Sequence, residues 1–316
     1  MDRYNGSVKA QIPRSIAAVT ALTVVSCASP PPPATTTALT GGPLVAAEIP
    51  AGRAKSMQLE LEAARAAWEY EPSEMSAVWV GRRLAYLGRY DEAIAWYRGA
   101  LETYPDSYRL RRHLGHRLLT TRQIDEAIVE LTAARALAAD QPNRLEPDGA
   151  PGPTGEPRST THGNIDYHLA LGLYLRGDFD RAAELWLGCI DRWARNDDAR
   201  VAALHWAHTS LVRSGQDAEA RTALERVSDA PDVIENDAYA ELVQLYRGDM
   251  PLQVALARSD RSAAFEYGLA RHMIASERAA EGEALLTALA QRSAWPAFGV
   301  LAAEADVARA AAGATE

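Results

Sequence analysis

The chain has 316 residues, is 47% hydrophobic, and carries a formal net charge of −9 from 33 Lys and Arg against 42 Asp and Glu. That acidic balance, with no basic helix and no aromatic ladder along the chain, excludes the usual means of holding a phosphate backbone, so no nucleic-acid partner is expected. Only two cysteines are present, Cys27 and Cys189, and if the first is consumed at the N-terminus no intrachain disulfide remains, which leaves stability to packing.

In chain order, Arg3, Lys9 and Arg14 give a basic start, and the apolar run from Ser15 to Val25 is too short to cross a bilayer, a pattern that reads as a signal peptide over residues 1–27. The run closes on Val24-Val25-Ser26-Cys27, which resembles a bacterial lipobox. The resemblance implies that the Cys27 thiol takes a diacylglycerol and becomes the mature N-terminus, anchoring the protein to a membrane through its acyl chains. The next residue is Ala28 and not Asp, which under the same resemblance implies the outer membrane, facing the periplasm. Ser26-Cys27-Ala28 also suits ordinary signal cleavage, and a tail on a cytoplasmic protein is a third reading. Residues 28–53, rich in Pro, Thr, Ala and Gly with prolines at 30–33, read as a disordered tether.

From residue 54 to 316 the apolar spacing is helical almost throughout, without strand alternation, and predicts an all-α domain. Ala54 to Tyr70 reads as a leading helix, followed by the pairs Ser76–Leu87 with Asp91–Tyr104 and Ser107–Thr120 with Asp125–Ala139. A third pair begins near Ile165 and carries the turn Gly177-Asp178-Phe179-Asp180, and a weaker fourth spans Val201 to Val227. Further helices are expected at 239–248, 264–275, 280–291 and 297–311. Between them, at about 140–164, Pro142, Pro147, Gly149, Pro151, Gly152, Pro153, Gly155 and Pro157 predict a long non-helical insertion, either solvated or folded over the inner face.

The first two pairs are copies in register: Gly81, Leu84, Ala93-x-x-x-Tyr97 and Ala100 return thirty-four residues later as Gly115, Leu118, Ala127-x-x-x-Leu131 and Ala134. This spacing resembles the tetratricopeptide repeat (TPR), whose small residues let two helices cross closely while its large ones fill the seam between units. The resemblance implies an α-solenoid, irregular in its C-terminal half, whose first helices line a concave groove that holds a protein or peptide. Taken with Glu146-Pro147-Asp148-Gly149, Tyr167-His168-Leu169, His205-Trp206 and Trp295 to Asp306, the motifs resemble a group of bacterial TPR lipoproteins. A lipidated solenoid is also similar in layout to envelope adaptor proteins.

Equivalent first-helix positions stack into columns, Trp79–His113–His168–Trp206, Val78–Arg112–Tyr167–His205 and Arg82–His116–Leu171–Thr209. The candidate ligand groove is therefore Arg82, Arg109, Arg112, His113, His116, Tyr167, His168 and His205, a basic strip suited to an acidic segment or a free C-terminal carboxylate. Groove histidines touching an anionic partner predict an affinity that rises as pH falls through about 6.5. No hydrolase elbow, phosphate loop or zinc helix occurs, so the expectation is a non-catalytic scaffold or adaptor without cofactor or metal. The alternative is an enzyme or small-anion binder whose site is Arg82, Arg112, His113, His116, His168 and His205 under the insertion; self-association through apolar faces is a third reading.

Overall fold

Fourteen α-helices and one two-stranded hairpin appear among the described residues of the computed structural model, which are 36–147, 157–193, 196–259 and 261–313. The helices are α1 (Ala51–Tyr70), α2 (Glu74–Tyr86), α3 (Tyr90–Thr103), α4 (Tyr108–Thr120), α5 (Ile124–Ala138), α6 (Thr161–Arg176) and α7 (Phe179–Arg192). They continue as α8 (Asp197–Arg213), α9 (Asp217–Leu224), α10 (Asp237–Arg247), α11 (Leu252–Ala257), α12 (Ala263–Ile274), α13 (Ala279–Ala290) and α14 (Phe298–Gly313). The protein is an all-α solenoid: each helix packs on the next from α1 to α9, while the first helices α2, α4 and α6 also touch one another along the inner side.

Small-against-large packing sets the helix crossings. A Cβ on Gly81 would lie 2.2 Å from Tyr97 Cζ, and one on Gly115 would lie 2.5 Å from Leu131 Cγ, so both seams need glycine. The ends are fixed locally. Ser73 and Ser76 form a reciprocal capping box on α2, and Ser107 accepts from the Leu110 amide at the start of α4, each satisfying an amide that the helix itself cannot. Gly88, Gly177, Gly215 and Gly248 take left-handed φ in the turns after α2, α6, α8 and α10. The turn after α4 uses Arg122 instead, at φ 67°.

The expectation for the tether needs correction. The folded body starts before residue 54: β1 (Thr36–Thr37) pairs antiparallel with β2 (Pro43–Leu44), the Thr36 hydroxyl donates to the Thr121 carbonyl at 2.7 Å, and Trp295 Nε1 donates to the Val45 carbonyl at 2.7 Å. Composition alone could not reveal that residues 36–50 are held by partners far along the chain. The signal peptide, Cys27 and the rest of the proposed tether lie outside the described residues. The short α11 was not expected, since six residues carry too little periodicity. Finally, His208, which takes the position of Gly81 and Gly115 in the fourth pair, stacks flat on Tyr246 of α10 at 4.2 Å.

The C-terminal half folds back onto the repeats. Helix α14 packs against α6, α12 and α13, and its polar residues reach the ends of three first helices. Glu304, with no exposed surface, forms an ion pair with Arg122, Arg213 Nη1 reaches Asp306 at 2.5 Å, and Arg309 donates to the Leu175 carbonyl at 2.8 Å. Asp306 also accepts from Tyr267 Oη at 2.9 Å, so the buried carboxylate is paired and hydrogen bonded, as burial of a charge requires. Side chains of α14 thus tie together the C-terminal ends of α4, α6 and α8.

Candidate functional site

The first helices bring the predicted side chains to the inner face, where they fall into two clusters and not one strip. The first is built around Glu146, which the insertion delivers. Arg144 and Glu146 pair with the strand that re-enters α6: the Glu146 amide donates to the Ser159 carbonyl and the Thr161 amide to the Arg144 carbonyl, both at 2.9 Å. Between these anchors the Glu146 carboxylate meets Arg112 Nη1 at 3.3 Å, His113 Nε2 at 3.0 Å and Asn164 Nδ2 at 2.6 Å. The next residue continues the contact, because Arg82 Nη1 donates to the Pro147 carbonyl. Arg82 is oriented by Tyr86 Oη, 3.0 Å from Nη2, and by the Trp79 ring, 4.7 Å from Cζ.

The electrostatics of this cluster follow from burial. Desolvation, then the neighbouring Arg112 guanidinium, push the His113 pKa down to about 3, so the ring is neutral at pH 7. Arg112 Nη1 lies 2.9 Å from His113 Nδ1, which assigns Nδ1 as the acceptor and Nε2–H as the donor to Glu146. Burial alone would raise the Glu146 pKa, but the Arg112 charge and the His113 and Asn164 donors hold it well below the usual carboxylate range. The carboxylate is therefore ionised, against one buried guanidinium and one neutral imidazole.

The second cluster is aromatic. His116 and His168 lie 4.3 Å apart between ring centroids, and Phe298 at the start of α14 sits 5.7 Å from the first and 5.8 Å from the second. Tyr167 adds to this wall, packed against Trp186, Trp193 and Phe298. The His168 pKa is pushed down to about 3, by burial and then by Arg112, while Nδ1 donates to the Asn164 carbonyl at 2.6 Å. His116 is driven well below its ordinary value, again chiefly by burial.

Two predicted residues belong to neither cluster. Arg109 turns to Glu74 at 3.3 Å and stacks on Tyr108, beside a cleft that also exposes Asp106 and Arg144. His205 is fully buried, hydrogen bonded through Nδ1 to Tyr246 Oη at 2.8 Å, and its pKa is pushed down to about 3, mainly by burial. Burial lowers the pKa of both His116 and His205, which works against their protonation near pH 6.5 in the free protein. Of the alternative six-residue site, Arg82, Arg112 and His113 meet at residues 146–147, His116 and His168 adjoin them, and His205 faces α10 instead. Among the described residues no group of three His, Cys, Asp or Glu side chains converges as metal ligands would.

Sequence reasoning placed Arg82, Arg112, His113, His116, Tyr167 and His168 on the inner face but missed what covers them. Glu146 had one available signal, a lone acid between prolines opposite a basic strip. Phe298 and Glu304 had none, since nothing local links α14 to the repeats. Among the described residues, Ala63, Ala64 and Ala67 of α1 and Trp79 and Arg83 of α2 line a cleft of about 420 Å³.

Comparison with known proteins gives one family match, to the tetratricopeptide repeat, over residues 84–145. No curated protein matches the chain. Among solved structures, similarity extends to BtubC (BKLC) from P. vanneervenii, at 15% identity and TM-score 0.45, covering 84% of this chain and 93% of that one. The Naa15/Naa10 structure bound to HypK-THB is similar at 18% identity and TM-score 0.37, covering 80% of this chain and 37% of that one. The match over 84–145, together with the glycine seams at 81 and 115 and the thirty-four-residue register, identifies tetratricopeptide repeats in that part of the solenoid.

Proposed function

We propose that the protein is a non-catalytic scaffold or adaptor of the bacterial envelope that holds a protein or peptide partner on its inner face. The supporting observation is chemical: Arg82 and Arg112 already hold, respectively, a main-chain carbonyl and a carboxylate of an extended segment. Charge-assisted hydrogen bonds of this kind contribute about 1.5–3 kcal/mol each, enough for a few of them to define a peptide site. The adjoining cleft beside Trp79 supplies apolar surface for neighbouring side chains. An acidic stretch or a free C-terminus is the partner chemistry that fits.

Attachment through Cys27 rests on the lipobox resemblance, with Ala28 directing the protein to the outer membrane, facing the periplasm. Metabolic labelling with a fatty acid tests this part: wild type should incorporate label and Cys27→Ala should not, and equal incorporation contradicts it. For the scaffold reading, the test is in-cell cross-linking and affinity capture with wild type and Arg82→Ala. Loss of a discrete partner from the variant is expected. Identical recovery of every partner by both proteins rejects the inner face as the docking surface.

A further inference from the structure

The segment that occupies the inner face is held by the wrong residue for a structural strap. Leu145 is 59% exposed while its neighbour Glu146 is 6% exposed, the reverse of what burial of apolar surface favours. A loop evolved only to cover a hydrophobic surface would bury the leucine. Here the acid is inserted, and the residues that receive it come from two repeats: Arg112 and His113 from α4, and Asn164 from α6.

We propose that Glu146–Pro147 is a built-in occupant of a docking site for an extended acidic segment of another protein, which binds by displacing it. This rests on the scaffold reading above and names its partner class and its control. The incoming chain places a Glu or Asp side chain against Arg112, His113 and Asn164, and gives the following carbonyl to Arg82. Its residues beyond that carbonyl run over Trp79 into the cleft of α1 and α2. The exchange replaces one carboxylate by another, so Arg112 is never left as an uncompensated buried charge, the state that makes breaking such a pair costly. A segment without a Glu or Asp at that position cannot make the exchange. Arg144 and Glu146 are also paired through their main chain with residues 159–161, outside the hydrogen-bond ladders of α4 and α6, so departure of the acid need not break either helix.

The size of the effect follows from tethering. A short tether presents its group at an effective concentration in the millimolar range, so a free competitor meets wild type at a disadvantage that weakening the occupant removes. The test uses a fluorescent, C-terminally amidated peptide with the sequence of residues 143–147, Asn-Arg-Leu-Glu-Pro, and a second with Gln in place of Glu. Each is titrated to millimolar concentration against wild type, Glu146→Gln and Glu146→Ala, with far-UV circular dichroism verifying the fold. The acidic peptide should bind Glu146→Gln about 10-fold and Glu146→Ala about 100-fold more tightly than wild type, and the Gln peptide should bind all three weakly. Should Glu146→Ala fail to fold, Glu146→Gln, which keeps the hydrogen-bond acceptor, carries the comparison. Equal affinity of the acidic peptide for wild type and variants overturns the displacement while leaving the groove reading standing. Absence of binding to any folded variant overturns the proposed site, and if Arg82→Ala still captures every partner the scaffold reading fails with it.

Discussion

Replacing Arg122 by glycine tests how the solenoid is closed. Every other first-helix turn with a left-handed residue uses glycine, so on backbone grounds Arg122→Gly should be favourable by about 1–2 kcal/mol. The side chain opposes that gain. Its Nε lies 3.1 Å from Glu304 Oε2, its Nη1 2.5 Å from the Thr120 carbonyl and its Nη2 3.0 Å from the Trp295 carbonyl, with Cζ 5.1 Å over the Trp295 ring. Removing it leaves a Glu304 carboxylate with no exposed surface and, among the described residues, only the Leu39 amide, at 3.3 Å, donating to it. Breaking a buried pair in this way costs about 3–5 kcal/mol, so the net loss should be about 1–4 kcal/mol. In urea unfolding, with a slope of about 2 kcal/mol/M, the midpoint should fall by about 0.5–2 M. Adding Glu304→Gln to Arg122→Gly removes the orphan charge and should recover part of the loss. A glycine variant as stable as wild type would refute the idea that this ion pair, and not local turn chemistry, fixes residue 122.

Acid should weaken the fold. His113, His168 and His205 are held neutral with pKa values of about 3, whereas the unfolded chain protonates them near 6.5, so their contribution is complete above pH 6.5 and is lost as pH falls toward 3. Between pH 7.5 and 5.5 each should remove on the order of 1 kcal/mol, visible together as a lower thermal midpoint; an unchanged midpoint contradicts the burial argument. Gly81→Ala should cost about 1–3 kcal/mol because Tyr97 must move, whereas Gly99→Ala, with nothing within 4 Å of the new methyl, should stabilise by about 0.5–1 kcal/mol; chemical denaturation of the pair checks the seam. Cys189 is buried and its thiol pKa is raised by desolvation, so a thiol reagent at pH 8 should label it only at the rate of unfolding.

The repeats were legible because their signals are local. Gly81 with Tyr97 and Gly115 with Leu131 are sequence neighbours whose sizes declare the crossing, and the helix boundaries fall within a few residues of those read from periodicity. Repeat spacing also grouped Arg112 with His113 and His116 with His168, which do meet in the structure. What it could not supply was the occupancy of the inner face, which depends on pairs far apart in the chain: Arg122 with Glu304, Val45 with Trp295, His116 with Phe298. Repeat register predicts directions, and a hollow looks open until something non-local is placed in it. The histidines illustrate the consequence. Their positions suggested a titrating groove, but burial by α14 and the insertion removes their protonation near neutral pH.

Site-resolved hydrogen–deuterium exchange of the Glu146 amide tests the central claim most directly. In the free protein that amide, donating to Ser159, should be protected. At saturating concentration of the acidic peptide it should exchange faster while α4 and α6 keep their protection. Unchanged protection of Glu146 with peptide fully bound would place the partner elsewhere and leave this segment a permanent part of the fold.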